Sequence, residues 1–197
     1  KLPLADATVI HYTNPVFTAL IAAVVLKESI EPAEWVGALL SLTGVSFIAQ
    51  PSFLFGTSSG SPNLLYVGVA LLGALSSASA YVVVRKLRDT EHPLVIVFYF
   101  PLVATIGSIP TAGAADLQWP TAWEWLFLIA GVAGCAQVAQ VFLTKGLHAM
   151  KAGRAMAVSY LQIVFATLWG ILAFHEIPDL WSLLGAGLVI GGTVLVS

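Results

Sequence analysis

The chain has 197 residues, of which 9% are charged and 58% are apolar, with a mean hydropathy of +0.92. Soluble globular domains carry about 25% charged residues, so the composition excludes that class and indicates an integral membrane protein. The net charge of -2 says nothing about nucleic acid, but the sequence has no patch of interleaved basic and aromatic residues, so nucleic acid is not expected as a partner.

The charged residues fall in short clusters, and the intervals between clusters are long enough to cross a bilayer. About 20 apolar helical residues span a hydrocarbon core of about 30 Å. Helices are expected because open strand edges would leave backbone groups unpaired in lipid. The sequence predicts an all-α integral membrane protein with seven transmembrane helices, at residues 7–26, 33–50, 64–84, 94–112, 125–144, 155–174 and 180–196.

The basic residues predict the orientation of these helices. If the seven spans alternate, the loops around Lys27, 85–88 and 145–154 share one side and hold seven of the eight basic residues. The positive-inside rule places those loops and the C-terminus in the cytoplasm. The cluster at 145–154 has a second interpretation, as a binding site for an anionic headgroup or phosphate.

A shift of 148 residues aligns the chain with itself without a gap, giving ten identities over the 38 positions 7–44. Five predicted spans separate equivalent positions, and because five is odd the second copy enters the membrane in the opposite orientation. Inverted repeats of this kind are typical of secondary transporters. The sequence therefore predicts a ten-helix, 5+5 fold. Residues 1–50 are the last two helices of the first repeat, 51–63 a linker and 64–197 the complete second repeat.

Two pairs of stretches resemble a known family, the EamA-type drug/metabolite transporters. ADATVIHYTNPVFTALIAAVVLKE and EWVGALLSLTGVSFIAQP resemble its helices four and five, and AGRAMAVSYLQIVFATLWGILAFHE and WSLLGAGLVIGGTVLV resemble helices nine and ten. PLADATVIHYTNPVFTALIA with IAQPSFLFG is most similar to the solute carrier 35 subfamily G-like branch. The resemblance implies N-terminal truncation by about three helices. It also implies export or exchange of small organic metabolites by alternating access through a central cavity.

Polar and aromatic residues inside the spans predict the lining of that cavity, because polar groups in a membrane are costly and usually face other helices or water. His11 and Asn14 are three residues apart, which predicts a shared helix face, and the repeat places Ser159 and Gln162 at the same two positions. An uncharged polar and aromatic lining suits neutral or zwitterionic metabolites. The predicted substrate-binding residues are His11, Tyr12, Asn14, Tyr81, Tyr99, Gln137, Gln140, Ser159, Tyr160, Gln162 and Trp169.

The same residues also allow a structural interpretation, as interhelical hydrogen bonds of about 0.6 kcal/mol each. Glu28 and Glu176, at matched span ends, are expected to cap the helix that follows each of them rather than to carry protons. Gly187 and Gly191 have the GxxxG spacing of close helix packing, within the chain or in a homodimer. Pro15 is expected to kink its span.

No sequence feature indicates catalysis, since the chain lacks an HExxH, a P-loop, a GxSxG and any nucleophile paired with a base. The sequence therefore predicts a transporter that is not an enzyme and needs no cofactor or metal, with a small-molecule metabolite and the lipid bilayer as partners. The alternative is a non-transporting accessory or scaffold protein, or an inactive truncated copy. The predicted location is the bacterial inner membrane, with an organellar or Golgi membrane as the alternative.

Overall fold

The computed structural model describes residues 3–55, 64–112, 120–175 and 177–196, and over these ranges every regular element is helical. A 3₁₀ turn (Leu87–Asp89) follows α5, and a π-helical stretch (Phe127–Ala133) joins α7 to α8. The α-helices are α1 (Leu4–His11), α2 (Asn14–Val25), α3 (Pro32–Ala49), α4 (Ser52–Phe55), α5 (Leu64–Lys86), α6 (Pro93–Ala112), α7 (Ala122–Leu126), α8 (Gly134–Ala149), α9 (Ala152–Val158), α10 (Leu161–Phe174) and α11 (Leu180–Val196).

Long apolar helical segments confirm the prediction of an all-α protein built for a membrane. Within the described residues, six segments are long and apolar enough to span a bilayer, namely Ala5–Val25, Pro32–Ala49, Leu64–Asp89, Pro93–Pro110, Ala122–Ala149 and Ala152–Ala173. The seventh predicted span is the shorter apolar helix Leu180–Val196. Residues 56–63 of the predicted linker and Glu176 lie outside the described residues.

The helices divide into two compact units. Unit one comprises Lys1–Val83 and Met150–Ser197, and unit two comprises Val84–Ala149. In unit two, Arg85 donates from one guanidinium nitrogen to the Leu147 carbonyl at 3.0 Å and to the His148 carbonyl at 2.8 Å. These carbonyls end α8, where a cation also interacts favourably with the helix dipole.

Helices α3 and α11 of unit one cross at two pairs of glycines. A methyl group added to Gly44 would lie 2.5 Å from the Gly185 carbonyl oxygen, and one added to Gly37 would lie 2.5 Å from the Gly192 carbonyl oxygen. The earlier glycine of α3 meets the later glycine of α11, so the two helices run antiparallel. Backbones this close leave no room for a side chain at any of the four positions.

The helix bounds in unit one recur with the 148-residue shift. Helices α1, α2 and α3 map onto α9, α10 and α11 to within one residue at every end. Lys27, in the turn after α2, and His175, in the equivalent turn after α10, both have a left-handed φ of 55°. The alignment found in the sequence is therefore also present in the backbone.

The expectation that His11 and Asn14 share a helix face was wrong. Helix α1 ends at His11 and α2 begins at Asn14, so no continuous helix joins them. His11 is exposed, whereas Asn14 is 4% exposed and accepts a hydrogen bond from the Thr18 hydroxyl. Pro15 in the first turn of α2 has no N–H to continue the hydrogen-bond ladder of α1, which favours the break. The equivalent break before α10 has Ile163 at this position, so a proline is not required for it.

We expect Gly44→Leu to destabilise unit one strongly, because a side chain there would force α3 and α11 apart. Overpacking typically costs about 1–3 kcal/mol, and here the obstacle is backbone rather than a movable side chain. Thermal unfolding of the purified protein in detergent should show a lower Tm. The matched control is Gly187→Leu, since an added Cβ at Gly187 meets nothing within 4 Å. An equal Tm for the two variants would contradict the packing role of the crossing.

Candidate functional site

Two helix breaks lie next to each other in unit one. One is between α1 and α2, and the other is the equivalent break between α9 and α10. Tyr12 and Tyr160, 148 residues apart, stack with ring centroids 6.0 Å apart and an interplanar angle of 23°. The buried Tyr160 donates its hydroxyl proton to the Tyr12 carbonyl at 2.8 Å. That carbonyl is available because the N–H groups of Val16 and Phe17 both bond to Thr13 instead. Tyr160 thus satisfies a backbone group that the break exposes.

Several of the predicted site residues surround this tyrosine pair. The Gln162 side chain lies near the Tyr12 side chain. The His11 ring meets Tyr12 edge-on, with centroids 6.5 Å apart. The Ser159 hydroxyl donates to the Met156 carbonyl within its own helix. The structure therefore brings together the predicted members from the two breaks.

The remaining predicted residues lie elsewhere in the described parts of the chain. Tyr81 on α5 is half-buried, and Trp169 on α10 is 64% exposed, both in unit one. Tyr99 on α6 and Gln137 on α8 are exposed members of unit two, and Gln140 on α8 is half-buried there. Their part in a common site stays a prediction.

One end of unit one is closed by ion pairs between the α2–α3 turn and the start of α9. Lys151 Nζ lies 3.0 Å from Glu31 Oε1 and 2.9 Å from the Ser29 carbonyl oxygen. Arg154 Nε lies 3.4 Å from Oε1 of the buried Glu34. We call this end, with Glu31, Glu34, Lys151 and Arg154, the closed end. Carboxylates of the chain engage both cations, which leaves them poorly placed to receive a phosphate.

The Lys151 ammonium group, which donates a hydrogen bond to Glu31, and the nearby Arg154 lower the pKa of the Glu31 carboxyl. A lowered pKa in the folded state means that the ion pair stabilises the structure at pH values above the ordinary carboxyl pKa. That stabilisation is lost as the pH falls through the lowered value.

Glu28 corrects a second expectation about the turns. Its Oε2 accepts a hydrogen bond from the Ala152 N–H at 2.9 Å, so it caps α9 of the other copy and not α3, the helix that follows it. The backbone N–H of Glu31, just before α3, instead donates a hydrogen bond to Oε2 of Glu34 at 3.2 Å. Proximity in sequence suggested the wrong helix because the break after α2 brings α9 alongside.

The opposite end of unit one holds a cavity of about 320 Å³, and we call it the open end. Apolar and polar residues from α3, α10 and the start of α11 line it: Ile48, Gln50, Thr167, Ile171, Ile177, Pro178, Asp179 and Ser182. Asp179 accepts hydrogen bonds from the Gln50 side chain and, at 2.8 Å, from the Ser182 N–H. Hydrogen bonds from the Ser182 side chain, the Ser182 N–H and the Gln50 side chain lower the pKa of Asp179 below its usual value and so favour its carboxylate form.

A much smaller pocket at the closed end is the counterpart of this cavity. Its volume is about 10 Å³, roughly the least that can hold one water molecule. Four lining positions of the two pockets correspond under the 148-residue shift, Ala19 with Thr167, Ser29 with Ile177, Ile30 with Pro178, and Glu34 with Ser182.

The difference in volume has a local cause. At the closed end α9 packs along α2, and Gly153 is so near α2 that an added methyl group would lie 2.9 Å from the Ala19 Cβ. At the open end the equivalent helices, α1 and α10, make at most a marginal contact. One pair of equivalent helices is therefore together and the other is apart.

Sequence reasoning missed both ends. It used the 148-residue alignment for the spans, but the turns of the two copies also correspond, and this would have paired Glu31 with Asp179. The opposite charges of 28–34 and 145–154 were a further signal for the closed end. Among the described residues, no group of three or more His, Cys, Asp or Glu side chains could hold a metal ion.

Comparison with known proteins gives several similar sequences. The chain is 30% identical to the probable transport protein YPL264C of Saccharomyces cerevisiae, over 99% of this chain and 60% of that protein. It is 30% identical to solute carrier family 35 member G1 of Homo sapiens, over 98% of this chain and 55% of that protein. It is 34% identical to the pseudopaline exporter CntI of Pseudomonas aeruginosa, over the whole chain and 66% of CntI. The chain thus spans between about half and two thirds of these relatives.

A solved structure supports the fold. One crystal structure superposes with a TM-score of 0.82 at 21% identity, covering 99% of this chain and 67% of the other. The sequence profile of the EamA-like transporter family matches residues 1–50 and 64–197. The chain is an integral membrane protein that belongs to the EamA-like transporter family, whose members are transporters and not enzymes.

Proposed function

We propose that the protein exports or exchanges small organic metabolites by alternating access. The observation that carries the proposal is the pair of equivalent pockets, about 320 Å³ at the open end and about 10 Å³ at the closed end. A transporter must open each end in turn. A chain with two similar copies can do so if each copy adopts the helix packing that the other copy had before. The exporter function of CntI, a relative, agrees with the proposed direction.

The contacts in unit one support an inverted repeat. Gly37 contacts Gly192, and Gly44 contacts Gly185. The 148-residue shift matches Gly37 with Gly185 and Gly44 with Gly192, so the two contacts are equivalent, as a two-fold axis requires. Tyr12 contacts its own equivalent, Tyr160, which places both near such an axis. In the proposed 5+5 fold, residues 1–50 close the first repeat, 51–63 link the repeats and 64–197 form the second.

The proposed cycle exchanges the two helix pairs. In the conformation described, α9 packs on α2 and α1 is away from α10. In the alternate conformation α1 packs on α10, the cavity beside Thr167 collapses, and its counterpart beside Ala19 opens. The close crossing of α3 and α11 stays fixed, because it involves backbone on both sides.

The proposed substrate path passes the tyrosine pair between the ends and includes the other predicted polar and aromatic residues. Because the predicted residues along this path are uncharged, that part of the path favours neutral or zwitterionic metabolites over strongly charged ones. The proposed location is the bacterial inner membrane, with the closed end and the C-terminus in the cytoplasm, as the basic residues near that end indicate.

Transport by the protein reconstituted in liposomes tests this function. We expect uptake of at least one compound from a panel of labelled amino acids, nucleosides and sugar nucleotides. Gln162→Leu removes a polar group beside Tyr12 from the path, and we expect it to lower uptake about ten-fold, which corresponds to about 1.4 kcal/mol. The control, Thr43→Val, changes an exposed residue of α3 that bonds only to its own helix. No uptake of any compound, or equal uptake by both variants, contradicts the proposal.

Paired cysteines test the exchange of helices, in a protein whose native Cys135 is replaced by Ala. A short thiol crosslinker should join Ala19→Cys to Gly153→Cys, which are adjacent in the structure. It should also join the equivalent pair, Thr167→Cys and Ala5→Cys, when the alternate conformation is visited. Either crosslink should abolish transport. If the second pair never reacts, at any substrate concentration, the exchange does not occur.

Ion pairs should control the opening of the closed end. We expect Lys151→Glu to expose Ala22→Cys, a buried residue of the small pocket, and to raise its modification by a membrane-impermeant maleimide about ten-fold. The exchange of charges in Glu31→Lys with Lys151→Glu should restore protection. Lys145→Glu is the control, because Lys145 is exposed and belongs to no ion pair given by the described residues. Protection that persists in Lys151→Glu argues against an ionic closure.

A further inference from the structure

The open cavity contains a carboxylate whose counterpart at the closed end binds an ammonium group. Asp179 occupies the position of Glu31 under the 148-residue shift. Lys151 Nζ lies 3.0 Å from Glu31 Oε1 and 2.9 Å from the Ser29 carbonyl oxygen. The residue equivalent to Ser29 is Ile177, which also lines the cavity. A carboxylate therefore occurs at the same position in both copies, and at the open end it lines a cavity.

The chain does not place its own cation at the second of these positions. The residue equivalent to Lys151 is Pro3, and the residue equivalent to Arg154 is Asp6. Asp179 has neutral hydrogen-bond partners, Gln50 and Ser182, and makes no ion pair with a Lys or Arg of the described residues. At the closed end Glu31 and Glu34 pair with Lys151 and Arg154, whereas Asp179 has no cationic partner among the described residues.

The rest of the cavity suits the carbon skeleton of a small molecule. Its walls include Ile48, Ile171 and Pro178, which provide apolar surface next to the carboxylate. Its volume of about 320 Å³ is at the lower end of the range of about 300–1,000 Å³ for small-molecule sites. A ligand here would contact one charged group and several apolar ones.

We propose that the open end binds the ammonium group of a small organic amine or amino-acid-like zwitterion, with Asp179 as the counter-ion and the apolar wall against its carbon skeleton. The proposal rests on the transport function proposed above, for which it names a ligand class. The ammonium of the ligand occupies at the open end the position that Lys151 occupies at the closed end. When α1 packs on α10, the site is lost and the ligand is displaced.

Calorimetry on the purified protein in detergent at pH 7 tests this site, with phenethylamine as the probe and 2-phenylethanol as its uncharged analogue. Asp179→Asn keeps an oxygen for the Ser182 N–H but removes the charge. We expect the affinity for phenethylamine to fall about ten-fold or more and the affinity for 2-phenylethanol to be unchanged. The matched control is Asp89→Asn, an exposed carboxylate of unit two. Equal phenethylamine affinity in Asp179→Asn and the native protein overturns the proposal.

A second variant keeps the test informative if Asp179→Asn is unstable. Thr167→Trp fills the cavity from α10, and we expect it to abolish binding of both compounds while leaving the Tm unchanged. Undiminished binding in this variant also overturns the proposal. Because binding is measured without transport, a protein that transports metabolites but shows no Asp179-dependent amine binding refutes only this site. A protein that binds the amine through Asp179 but transports nothing refutes the proposed function.

Discussion

The close antiparallel crossing of α3 and α11 is the constraint on which the rest of unit one depends. Its four glycines bring two backbones together over both contact points, so the crossing angle and depth leave little freedom. In a membrane, where burial of apolar surface drives helices together only weakly, such van der Waals contact between backbones is a main source of association. The other helices of the two copies are attached to this pair, and in the proposed exchange they are the parts that move.

Differences between the copies act at the ends of this pair. Lys151 and Arg154 provide cations at one end, where the matching residues at the other end are Pro3 and Asp6. Asp6 instead bonds to the backbone N–H and hydroxyl of Ser52. Ion pairs therefore hold one end, and neutral hydrogen bonds and a cavity characterise the other. The backbone plan is nearly symmetric, but the chemistry at its two ends is not.

Much of the fold could be predicted from the sequence, because membrane insertion leaves a strong signal. Charges are excluded from the hydrocarbon, so the clusters of Asp, Glu, Lys and Arg marked the ends of the helices, and the repeated glycines gave the register of the copies. The break at Tyr12 could not be placed as well. Pro15 indicated a kink, but the residue at which the helix stops depends on the carbonyl that Tyr160 satisfies from a distant segment.

The contents of the candidate site were harder to predict for the same reason. Tyr12 and Tyr160 were both among the predicted residues, but the sequence did not predict that they contact each other. Glu28 was assigned to the wrong helix because its acceptor role depends on α9, more than 120 residues away. The open cavity depends on a helix pair being apart. Pattern and composition describe what each helix prefers, and they do not say which of the two equivalent helix pairs, α2 with α9 or α10 with α1, is packed together.

The turns after α2 and α10 carry one more implication. Lys27 and His175 both adopt a left-handed conformation, which glycine usually occupies at the end of a helix and which is costly for residues with a Cβ. Neither the residue type nor its charge is shared, yet the torsion angle is the same. The two copies therefore share a backbone torsion angle at a position where their residue types differ. A comparison of dihedral angles would detect the duplication at this position, whereas sequence identity would not.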